Sequence, residues 1–79
     1  MKRDNDLILD ILKLLEQHNN GAMPRYDIIE TLGKDNYTQR DAIIHHLSIM
    51  YDRGFVAVEH DGLRLTWDGH DAVEKAQRA

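Results

Sequence analysis

Asp61-Gly62 sits between two short runs in which apolar and polar residues alternate, and this pattern restricts the fold more than any other in the chain. Alternation at a period of two marks a half-buried strand. An Asp-Gly pair between two such runs favours a two-residue hairpin loop, whose central positions need left-handed backbone. Centring a type I′ loop on Asp61-Gly62 pairs His60 with Leu63, Glu59 with Arg64, Val58 with Leu65, Ala57 with Thr66 and Val56 with Trp67. Paired residues share a face, and faces alternate along each strand. One face then carries Val56, Val58, Leu63, Leu65 and Trp67, with His60 near the tip. The other carries Ala57, Glu59, Arg64 and Thr66, with Glu59 and Arg64 as an ion pair. On this register Val58, Leu65 and Trp67 are core residues.

Helical spacing governs the residues before the hairpin. Asp4 has the chemistry of an N-cap, and Leu7, Ile8, Ile11, Leu12, Leu14 and Leu15 follow on one apolar face about 160° wide, with Leu9 beside it. Asn19-Asn20-Gly21 is the expected stop, because all three residues tolerate left-handed backbone. Pro24 suits the first turn of a short second helix with Ile28, Ile29 and Leu32 inward and Gly33 at its end. Thr38, with Asp41 three residues on, resembles a capping box for a third helix. At 100° per residue its core arc holds Ile43, Ile44, Leu47, Met50 and Tyr51, opposite Asp41, Ala42, His45, Ser48, Ile49 and Asp52. Gly54 ends that helix. After the hairpin, Thr66 is placed to cap a last helix whose inner positions, Gly69, Ala72, Val73 and Ala76, are small or β-branched.

Length and charge exclude several classes of function. Seventy-nine residues suffice for one domain, 1–79. The absence of cysteine removes disulfides and thiolate metal sites and fits a reducing, cytoplasmic setting. Met1-Lys2-Arg3 precedes an apolar stretch, but Asp10 and Lys13 interrupt it, so neither a secretory signal nor a membrane span is expected. A net charge of −4 and a pI near 5.6 argue against indiscriminate attraction to nucleic acid or anionic membranes.

Helix, short helix, turn, longer helix, β-hairpin and C-terminal helix form the order of a winged helix-turn-helix. The expected fold is therefore α+β, mainly α: three helices, a two-stranded wing and a closing helix. Further likeness lies in the start Met1-Lys2-Arg3-Asp4 with Asp6-Leu7-Ile8, in His46-Leu47 with Gly54-Phe55-Val56, and in Leu65-Thr66-Trp67-Asp68-Gly69-His70. By these motifs the whole chain resembles a family of small domains of unknown function found in bacteria, phages and prophages. That resemblance implies the fold and a mobile-element setting, and no activity.

Residues able to do covalent chemistry are dispersed. Asp41 with His45, and His70 with Glu74, have metal-compatible i, i+4 spacing, but each pair lacks a third ligand. Ser48 is the only serine and lies mid-helix, without a nucleophile elbow. No Gly-rich phosphate loop occurs. The expected protein is non-enzymatic and uses no cofactor or metal.

Two targets remain open. The first expectation is a small phage- or prophage-type DNA-binding regulator, since duplex DNA is the usual ligand of the fold, read by the third helix with the wing on the backbone. Arg25, Lys34 and Arg40 near the turn and Arg64 on the wing would meet phosphates, while Gln39 and His45 would approach base edges. Asp41, Asp52, Glu59 and Asp61 oppose that reading. The alternative is a protein-interaction module, a phage–host or homodimer adaptor, with Ala42, His45 and Ile49 as partner contacts. The broad apolar face of the first helix fits a central core helix packed on two sides; its extension by Leu9, with Ile49 stranded on the polar side of the third helix, is what would favour a homodimer.

Overall fold

The computed structural model describes residues 3–18, 21–60 and 62–78. Met1, Lys2, the Asn19-Asn20 helix stop and Asp61 of the hairpin loop lie outside the described residues. The arrangement is α+β and mainly helical: α1 (Asn5–Gln17), β1 (Met23–Pro24), α2 (Arg25–Gly33), α3 (Tyr37–Arg53), β2 (Val56–Glu59), β3 (Gly62–Leu65) and α4 (Trp67–Arg78). The strands form one antiparallel sheet in the order β1-β3-β2. The sheet therefore has three strands where two were expected. Two residues, one of them a proline, carry no periodic signal, and Pro24 is tolerated because β1 is an edge strand.

Helix α1 is the centre of the molecule. Asp4 caps it, its carboxylate accepting the amide N–H groups of Asp6 and Leu7 at 3.0 and 3.2 Å. Leu7, Ile11, Leu12 and Leu15 are buried, and Ile8, Leu9 and Leu14 pack against the core, because α2, α3, α4 and β3 all surround this helix. Each fully buried Leu or Ile contributes about 1.5–3 kcal/mol relative to exposure. The width of the apolar face is thus accounted for by packing within one chain.

Helix α3 departs from expectation in two respects. Its N-cap is Asn36, whose side chain accepts the Gln39 amide at 3.0 Å, so Thr38 lies inside the helix. Its buried residues are Ile43, His46, Leu47 and Met50, which rotates the core arc toward His46 and leaves Ile44 and Tyr51 exposed. The cause is His46. Buried polar groups need partners, and both ring nitrogens have one: Nε2 accepts the Asp4 amide N–H at 2.8 Å, and Nδ1 lies 2.6 Å from the Ala42 carbonyl, to which it donates. The imidazole thereby ties the start of α1 to the middle of α3.

The hairpin keeps its predicted faces and loses its predicted register. Val56 lies opposite Leu65, Ala57 opposite Arg64, Val58 opposite Leu63 and Glu59 opposite Gly62. The loop is therefore residues 60–61, and His60 takes the left-handed φ of 56°. Gly62 serves the strand instead of the turn. A Cβ there would come within 2.9 Å of both the Ala22 Cβ and the Met23 carbonyl, so only glycine lets β1 pair alongside. A two-residue slip preserves side-chain parity, which is why Glu59 and Arg64 still meet, at 2.8 Å. Two expected core residues are displaced outward. Val58, in the loop-proximal half of β2, is exposed, and Trp67 has left the strand for the first turn of α4, where it is 84% exposed.

Thr66 accounts for the rest of its motif. Its hydroxyl donates to the Gly54 carbonyl and accepts the Gly69 amide at 3.1 Å, capping α4 as expected. Gly69 lies against the Phe55 carbonyl, and Val73 is fully buried, while Ala72 is half-buried and the expected inner Ala76 is exposed. Among the described residues no helix is long and apolar enough to cross a membrane.

Candidate functional site

The residues nominated for nucleic-acid contact do not form one cationic surface. Arg25 opens α2 and lines a groove beside the hairpin with Val58, His60 and Leu63. Lys34 follows the other end of α2, about 13 Å away at 1.5 Å per residue, so the expected Arg25-Lys34-Arg40 cluster is split. Both Arg25 and Lys34 are exposed, and neither is ion-paired among the described residues.

Arg40 is committed to the α2–α3 turn. Its Nη1 lies 2.5 Å from the Glu30 carboxylate and donates to the Lys34 carbonyl at 2.9 Å. Gly33 makes room for it, since a Cβ there would lie 2.6 Å from the Arg40 side chain. The hydrogen-bonded Glu30 carboxylate raises the guanidinium pKa above its ordinary value, outweighing partial desolvation; Tyr26 and Tyr37 act in the same direction. Arg64 is likewise paired with Glu59. Gln39 is half-buried, and His45 stands edge-on to the His46 ring, centroids 5.6 Å apart. Of the six nominated residues, only Arg25 and Lys34 present an unpaired charge to solvent among the described residues.

The three partner-contact candidates also lie off the exposed face. Ala42 is half-buried, with its carbonyl engaged by His46. Ile49 lines a separate groove between α1 and α3, with Ile8 and Phe55. The large hydrophobic side chains that α3 presents to solvent, among Thr38, Asp41, Ser48, Asp52 and Arg53, are Tyr37, Ile44 and Tyr51, seven residues apart and therefore on one stripe. Ser48 lies beside them, its hydroxyl turned back to the Ile44 carbonyl at 3.3 Å. Tyr51 and Ser48 share a groove of about 280 Å³ with Val58, Arg25 and Asp52 across the gap to the hairpin. Tyr26 is also exposed, and like Tyr37 it lies close enough to act on the Arg40 charge. The seven-residue spacing was visible in the sequence, but assigning Ile44 and Tyr51 to the core concealed it.

This face offers tyrosine rings and aliphatic side chains, with the carboxylates of Asp41 and Asp52 at its margin. Exposed tyrosine in this density is characteristic of protein interfaces, where a rigid amphipathic ring gives a large contact at low entropic cost. Among the described residues, no three of the metal-ligating side chains converge. Compared with family models, curated proteins and solved structures, the chain matches none.

Proposed function

We propose that the chain is a non-enzymatic winged-helix binding module whose α3–hairpin face takes a protein partner. The order of elements supports the winged-helix reading: α1, a short strand, α2, a turn, α3, then a hairpin whose second strand pairs with the first strand of the chain. The small phage and prophage domains that the sequence resembles would supply the setting, a cytoplasmic adaptor of a mobile element. One observation carries the choice of target. The face that would enter a DNA groove shows Tyr37, Ile44 and Tyr51, while Arg40 and Arg64 are held by carboxylates of the same chain.

A duplex-DNA reading retains the exposed cations Arg25 and Lys34. Two phosphate contacts would give a salt slope of only about −1.8 in log–log form, at about −0.9 per phosphate. The decisive experiment compares the parent with two double variants, Ile44→Asp/Tyr51→Ser and Arg25→Ala/Lys34→Ala. Each is used to capture partners from cell lysate with and without nuclease, and each is titrated against duplex DNA at low salt. The protein reading expects one captured species that survives nuclease and is lost only in the first variant. Duplex binding lost only in the second variant transfers the assignment to DNA.

A further inference from the structure

A second groove lies on the other flank of α3, between the start of α1 and the end of α3, with Asp52 bordering both it and the α3–hairpin groove. Its volume of about 550 Å³ falls within the range of about 300–1,000 Å³ typical of small-ligand clefts. Ile8, Ile49 and Phe55 line it, each only half-buried. Ile49 lies on the flank of α3, outside its buried set. Arg3 and Arg53 stand at the rim of this groove, with Asp52 as the single carboxylate. Neither arginine is ion-paired among the described residues. Arg53 is held in place with its guanidinium carbon 5.2 Å from the centre of the Phe55 ring, a cation–π contact. In a chain of net charge −4, the lining of this groove carries two arginines against one aspartate, a net of one positive charge, and Asp68 and Asp71 meet Arg53 and Phe55 only from the adjoining groove, beside Lys75.

We infer that this groove binds a small apolar monoanion, an aryl or alkyl carboxylic acid. Its hydrocarbon body lies on Ile8, Ile49 and Phe55, and its carboxylate is shared by Arg3 and Arg53. Apolar lining selects the body, and the excess of one cation selects a single negative charge over a polyphosphate. Arginine suits the task because its planar fork matches a carboxylate.

The test uses the full chain and phenylbutyrate as the probe, with phenylbutylamine as its cationic counterpart. Two-dimensional NMR with labelled isoleucine methyls should show saturable shifts at Ile8 and Ile49 with the acid and none with the amine. The Arg3→Gln/Arg53→Gln variant, whose changes are at the surface, should keep the parent's circular dichroism and weaken binding by about tenfold or more. Absence of saturation, equal response to acid and amine, or undiminished affinity in the folded variant each overturns the inference. The Ile44 methyl, on the α3–hairpin face, should not shift, which separates this outcome from that of the proposed partner face.

Discussion

Replacing Gly69 with alanine tests the junction that sets α4 against the start of the hairpin. In an ordinary helix interior the change favours folding by up to about 1 kcal/mol, since glycine is the poorer helix former. Here the added Cβ would lie 2.1 Å from the Phe55 carbonyl oxygen and 3.1 Å from a Leu65 methyl. That oxygen is backbone and cannot swing aside as a side chain would. It also accepts the Thr66 amide at 3.0 Å, next to the Thr66 hydroxyl bond to Gly54. Overpacking costs about 1–3 kcal/mol, and loosening a backbone hydrogen bond costs about 0.5–1.5 kcal/mol more. After the full propensity gain, the net loss is about 0.5–3.5 kcal/mol. In a domain of this size each kcal/mol lowers Tm by about 4–8 °C. Thermal unfolding followed by circular dichroism should therefore show a clear drop for Gly69→Ala. His70→Ala, at the neighbouring exposed position, should stay within about 0.5 kcal/mol of the parent. A Gly69→Ala protein melting at or above the parent temperature would refute the close-packing argument.

Trp67→Ala should change stability by no more than about 0.5 kcal/mol, because the ring is 84% exposed; a loss of several kcal/mol in urea unfolding would place the ring back in the core. Lys34 holds φ 49° and ψ −125°, a conformation that disfavours any side chain, so Lys34→Gly should stabilise the protein by about 1 kcal/mol, and a lower denaturation midpoint would contradict that. His46→Leu preserves bulk but leaves the buried-side Asp4 amide without its acceptor, which should cost about 1–3 kcal/mol and speed hydrogen exchange in the first turn of α1; unchanged exchange there would show that the imidazole is not the tie. Gly62→Val should break the β1–β3 pairing, seen as lost cross-strand contacts between Met23 and Leu63 in NMR spectra while β2–β3 contacts persist.

Local chemistry determined where the elements lie and which way most of them face. The Asp4 cap, the leucine and isoleucine spacing of α1 and the Thr66 cap act within a turn or two of chain, so four helices and a hairpin were legible without any long-range information. The two faces of the hairpin were legible for a related reason, because a period of two survives a two-residue slip. Contacts between distant segments decided the rest. The register followed from the approach of Ala22 and Met23 to Gly62, some forty residues away in sequence. The orientation of α3 followed from the bond between His46 and Asp4, which periodicity cannot anticipate because histidine reads as polar until both its nitrogens find partners. The exposed surface followed in turn: turning α3 toward His46 released Ile44 and Tyr51 to solvent, and pairing with Glu30 withdrew Arg40 from it. A sequence states which groups are apolar or charged, but burial and pairing belong to the assembled chain, and those two properties define the surface this protein offers to solvent.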